Sequence, residues 1–169
     1  MKKFILILVL TVVGGNQYLE AKNLHARFSY TSFYAPEKGP YIETYLSIEG
    51  HSANYQLLGS GLFQASIEAS LLFKQGDSIR YFDKFNLLGP ETADTLAAVS
   101  DFTDLHRISL PNGTYQMELS IRDKNNPGNK PNVVRQEVII NFYSNVISIS
   151  DIELLSAYKP SEAVSPLVK

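Results

Sequence analysis

The chain has 169 residues, 44% hydrophobic and 19% charged, enough for one sizeable domain with residues to spare. It has no cysteine, which excludes disulfides, thiolate metal sites, cysteine catalysis and a lipid-modified cysteine. Its abundant aromatic and β-branched residues exclude a disordered chain, and a formal charge of −2 argues against nucleic acid as a partner, since counterion release needs clustered Lys and Arg.

Lys2 and Lys3 precede an apolar run from Phe4 to Val13, followed by Gly14-Gly15-Asn16. A positive start, a short apolar stretch and a breaker describe a secretory signal peptide. The run is too short for a membrane-spanning helix, which needs about 20 residues, so no transmembrane span is expected in the mature chain. Cleavage is expected after Ala21, or as late as Ala26. Loss of residues 1–21 removes two lysines and one glutamate, taking the net charge from −2 to −3. An exported chain without cysteine suits the periplasm or cell surface of a Gram-negative bacterium.

The mature chain reads as strands. Residues 27–34 are rich in aromatic and hydroxyl side chains, and Ala35-Pro36-Glu37-Lys38-Gly39-Pro40 forms a turn. Over 41–49, Ile42, Thr44, Leu46 and Ile48 share one face; Tyr41, Glu43, Tyr45, Ser47 and Glu49 share the other. His51 and the segment Gly59-Ser60-Gly61 fall in turns. The strongest alternation spans 62–74, where Phe63, Ala65, Ile67, Ala69, Leu71 and Phe73 recur at period two. Gln75-Gly76-Asp77 turns the chain into a strand near 78–87. Residues 88–100 break the pattern: they form either a loop crossing between sheets or a mobile flap, with one or two helical turns over Glu91 to Ala98. Strands return near 102–110 and 114–122, a loop holds Asp123 to Pro131, and a last strand covers 132–142 with Val138, Ile140 and Phe142 inward.

Seven strands with regular turn signals predict an all-β, antiparallel sandwich of immunoglobulin or fibronectin type over 27–145. Residues 146–169 read as a linker or the truncated start of a second domain. Leu110-Pro111-Asn112-Gly113-Thr114-Tyr115 has the form of a tyrosine corner, in which Tyr115 bonds back to nearby backbone.

No pattern carries catalysis, a cofactor or a metal. His25, His51 and His106 lack metal-ligand spacing, and Ser60 lacks the context of a nucleophile elbow. Asp123 to Gly128 superficially suggests a calcium loop, but Pro127 and Val134 stand where ligands are needed. The paired carboxylates, such as Asp101 with Asp104, read as solvated loop and edge charges. Binding potential rests with Tyr41, Glu43 and Tyr45, an outward strip suited to a partner surface or a sugar ring. The leading expectation is a non-catalytic exported module of a cell-envelope protein, packing against a companion domain or envelope protein. The alternatives are a carbohydrate-binding module that holds a glycan on its tyrosines, and an accessory domain of an enzyme whose catalytic part lies elsewhere.

Pro36 to Ile48, together with Leu110 to Ile121 and Ser150 to Leu154, resembles the N-terminal region of exported Bacteroidetes proteins named for a C-terminal Gly-Trp-x-Thr-Asp (GWxTD) motif. The resemblance covers most of residues 22–158. The chain has no Trp, so the naming motif is absent. The resemblance therefore implies a truncated chain or fragment and carries no catalytic residues across.

Overall fold

The computed structural model describes residues 23–96, 99–143 and 149–152. The leader expected over 1–21, and the tail apart from 149–152, lie outside the described residues. The described residues form eight strands: β1 (Ala26–Ala35), β2 (Gly39–Ile48), β3 (Tyr55–Leu57), β4 (Phe63–Gln75), β5 (Ser78–Leu88), β6 (Phe102–Ser109), β7 (Gly113–Asp123) and β8 (Asn132–Ile140). Every strand pairing is antiparallel.

One sheet has the order β1-β2-β6. In the other, β4 is central, with β7 and then β8 on one flank and β5 on the opposite flank. The two sheets share a core. Ile42, Leu46, Ile48, Phe102 and Ile108 from the first meet Ala65, Ile67, Ala69, Leu71, Phe73, Tyr115, Met117, Leu119 and Val138 from the second. Period-two alternation produces this directly: the five β4 residues from Ala65 to Phe73 are at most 1% exposed.

The turns follow their glycines. At Gln75↔Ser78 the two-residue loop begins with Gly76 at φ +57°, and no non-glycine residue among the described residues has positive φ. That is the backbone of a type II′ turn, whose twist matches the flanking strands. The β1–β2 turn closes with the Lys38 amide donating to the Ala35 carbonyl at 3.0 Å. Gly39 then adopts φ +82°, as in a hairpin loop ending in a left-handed residue.

The expected count of seven strands is corrected to eight. The additional strand, β3, lies in a stretch read as turns. Three residues beside Leu58-Gly59-Ser60-Gly61 are too few to display a period. β3 sits on the β7 flank of β4. The Ser66 carbonyl accepts from Lys124 and the Leu62 carbonyl from Leu58, whereas Phe63 and Ala65 bond Thr92 and Gly89 on the β5 flank.

Asp123 seals the junction between β3 and β7. Its buried carboxylate accepts from the Asn54 amide at 2.8 Å, the Asn54 side chain at 3.0 Å and the Asn125 amide at 2.9 Å. Those bonds commit the oxygens to structure rather than to a cation. The 88–100 segment is the crossing between sheets: it leaves β5 in one sheet and enters β6 in the other. No helix forms among its described residues, and Thr92 bridges to Phe63 instead. Beyond β8, the Asp151 amide donates to the Ser32 carbonyl at 3.0 Å, and its carboxylate accepts from the Ser32 amide at 2.7 Å. Asp151 thus sits at the edge of β1.

Candidate functional site

Cross-strand register assembles the outer face of the three-stranded sheet. Thr31, Glu43 and Arg107 stand in one row, flanked by Phe33, Tyr41 and Ser109 on one side and Ser29, Tyr45 and Leu105 on the other. The strip expected from sequence, Tyr41, Glu43 and Tyr45, is therefore on one face and pointing away from the core. Phe33 and Tyr41 stack with ring centroids 5.4 Å apart and planes 26° apart. Both tyrosines are half-buried.

Glu43, expected as a partner or glycan contact, is not a free carboxylate. Its side chain is only 8% exposed, with Arg107 Nε 2.6 Å from Oε1. The Tyr45 hydroxyl donates to Oε2. The reason is geometric: Arg107 lies directly opposite in β6, and a buried carboxylate without a cation would carry a large desolvation cost. In the same row the Thr31 hydroxyl is buried with no partner among the described residues. Burial, and then the Glu43 charge, raise the Tyr41 phenol above its ordinary value, with Arg107 opposing.

The residues of the expected tyrosine corner occupy the β6–β7 turn. The Tyr115 hydroxyl donates to the Pro111 carbonyl at 2.7 Å, and its ring is 1% exposed. Leu110 is buried, Gly113 opens β7, and the Asn112 side chain holds the Phe142 backbone, accepting its amide at 2.9 Å. The group ties the turn to the end of the last strand.

Two further constellations lie far apart in sequence. The first surrounds His106 on the inner side of β6. Its ring lies against Phe85 at 4.2 Å between centroids, Nε2 contacts Asp104, and Nδ1 lies 3.6 Å from Asp83. Asp104 Oδ2 is buried and has no hydrogen-bond partner among the described residues, so the pair is a close contact rather than a hydrogen bond. The Tyr81 hydroxyl faces Asp83 at 3.4 Å. Burial, the Asp83 charge and hydrogen bond, and the Asp104 charge push the Tyr81 phenol up to about 12. Both ring nitrogens of His106 thus face carboxylates.

The second joins His25, just before β1, to Glu49 and His51, just after β2. The histidines are scattered in sequence, and His25 and Glu49 meet only through the β1–β2 register. A groove runs between β1 and β8 and is lined mainly by Leu24, Phe28, Leu46, Leu119 and Val134, with Asn132 and Gln136. No carboxylate, histidine or hydroxyl among the described residues lines it.

No protein-family model and no curated protein matches the chain. Among solved structures, the chain is similar to the "putative ApaA protein" from Bordetella pertussis, at 16% identity and a TM-score of 0.33. The match covers 71% of this chain and 95% of that one, and a likeness this slight carries no argument about fold or activity.

Proposed function

We propose that the chain is a non-catalytic, exported module of immunoglobulin-like type, which packs against a companion domain or envelope protein through the outer face of its three-stranded sheet. The observation that carries this reading is the buried Glu43–Arg107–Tyr45 knot on the side of the sheet that faces away from the core. Solvent-facing sheet surfaces ordinarily present free polar side chains. Here a carboxylate and the Thr31 hydroxyl are already desolvated, and Phe33 and Tyr41 are already stacked. A surface held in one arrangement loses little entropy when a partner covers it. Aromatic rings beside an arginine are also the residues that dominate protein interfaces.

The basic, apolar N-terminal segment and the resemblance to the N-terminal region of GWxTD proteins support export and a companion domain. The non-catalytic reading is favoured by the carboxylates that face both ring nitrogens of His106 and by the β1–β8 groove, whose lining is mainly apolar with Asn132 and Gln136 as its polar members.

The test is a photo-crosslinking amino acid placed at Tyr41 in the full chain, in cells. The control position is Gln116, exposed on the other sheet. A discrete adduct from position 41 alone, lost when Phe33→Ala is added, is the expected result. Equal adducts from both positions, or none from either, would overturn the proposal. Retardation in a polysaccharide gel that disappears in a Y41A/Y45A variant would favour the carbohydrate-binding alternative instead.

A further inference from the structure

We infer that His25, Glu49 and His51 form a surface site for a divalent transition-metal ion of the zinc type. Each offers one ligand atom, and the three atoms lie within 4.8 Å of one another. His25 Nδ1 is 3.3 Å from Glu49 Oε2, and His51 Nε2 is 3.7 Å from the same oxygen. A tetrahedral ion with bonds of about 2.0–2.1 Å keeps neighbouring ligand atoms roughly 3.3–3.4 Å apart. The two separations from Glu49 Oε2 are within a few tenths of an ångström of that spacing, and the two imidazole nitrogens, which lie within 4.8 Å of each other, close around the ion by rotation of their exposed side chains. Two imidazoles and one carboxylate suit zinc and its neighbours; calcium and magnesium call for all-oxygen sets.

The backbone beneath these side chains is held from several directions. The His25 amide donates to Ser52 Oγ at 2.9 Å, and the His25 carbonyl accepts from the Glu49 amide at 3.1 Å. The Ser52 hydroxyl donates to the Glu49 carbonyl at 2.7 Å, and Ser52 is buried. Gly50, between Glu49 and His51, donates its amide to Asp101 at 3.1 Å and accepts at its carbonyl from the Tyr55 hydroxyl at 3.2 Å. The ligand side chains are therefore the only parts that must settle on binding. That matters for affinity, because ordering a mobile loop would consume much of the binding free energy. The side chains of His25 and His51 are 61% and 72% exposed. An ion there is reachable from solvent, and a fourth position stays open to water or to a ligand from another molecule.

The purified exported protein is titrated with Zn²⁺ and separately with Ca²⁺ by calorimetry, and with Co²⁺ by visible absorption. Intact mass fixes its first residue. Saturable one-to-one Zn²⁺ binding, a tetrahedral Co²⁺ spectrum and no Ca²⁺ heat are expected. Loss of an outer-shell partner alone typically costs about 10–100-fold in metal affinity. H25A, H51A and E49Q are thus each expected to weaken Zn²⁺ binding at least about tenfold. H51A alters a well-exposed side chain, so its metal-free melting curve should match that of the parent and show that the variant folds. Three results would overturn the site: Zn²⁺ binding unchanged in H25A/H51A, no saturable binding in the parent, or a mature chain that begins after His25.

Discussion

Tyr115 and His25 illustrate what a single residue reveals before its neighbours are known. The Tyr115 bond reaches only four residues back, to Pro111, so the local pattern Leu110-Pro111-Asn112-Gly113-Thr114-Tyr115 already contains both partners. The His25–Glu49–His51 cluster and the Asp83–His106–Asp104 cluster depend on strand register and sheet packing, which no local spacing encodes. Glu43 is intermediate. Its face was legible from alternation, whereas its closure by Arg107, 64 residues away, was not. The corner gives a direct test. Tyr115→Phe keeps the ring and removes one hydrogen bond, whose net worth is about 1 kcal/mol. A loss of that size lowers the melting temperature of a domain of this length by about 4 °C. Calorimetry on both proteins checks it; an unchanged melting temperature would show that the bond to Pro111 contributes nothing to stability.

At the level of strands, long alternating segments declared themselves and short ones did not. β4 and β7 carry five or more turns of alternation, and the hydrophobic effect leaves such a strand only one way to face the core. β3 is three residues long and exists because Leu58 to Leu62 turns it back onto β4. Its position depends on packing between segments, and the same is true of the Gly50–Ser52 turn that precedes it. A Cβ at Gly50 would lie 2.3 Å from the Ser100 carbonyl oxygen and 2.9 Å from its carbon, both backbone atoms. Backbone cannot swing aside as a side-chain tip can, so Gly50→Ala must displace the crossing segment or the turn. A destabilisation of about 1–3 kcal/mol is expected, the usual cost of forcing atoms into a filled space. Gly59→Ala is the matched control, since nothing lies within 4 Å of a Cβ there, and its effect should stay within about 0.5 kcal/mol. Denaturant unfolding of both variants separates the outcomes; equal midpoints would mean that the Gly50 contact is relieved at no cost.

Across the whole molecule, the phenols set the alkaline limit of stability. Burial raises Tyr41, Tyr55 and Tyr115 above the ordinary value of about 10, and burial with the Asp83 and Asp104 charges pushes Tyr81 up to about 12. Below pH 10 these groups are protonated in both folded and unfolded chains, so they do not make stability vary with pH. Between pH 10 and the raised folded values, the unfolded chain loses protons that the folded chain retains. Ionisation then favours unfolding, and stability falls as pH rises through that window. The acid side has the opposite sign. The Lys84 hydrogen bond, and then Arg122, hold the Glu68 carboxyl below its usual range against a smaller opposing effect of burial. That contribution is present above the unfolded carboxyl value and is lost as pH falls through the folded one. Stability is therefore expected to fall on the alkaline side from about pH 10 onward, most steeply between that value and the raised folded ones. Phenolate absorbance and denaturant midpoints measured together check this. In the folded protein a late-titrating tyrosine should vanish in Tyr81→Phe, and that variant should lose less stability between pH 10 and 12 than the parent. If Tyr81→Phe follows the parent curve throughout that window, the Tyr81 phenol does not govern the alkaline transition.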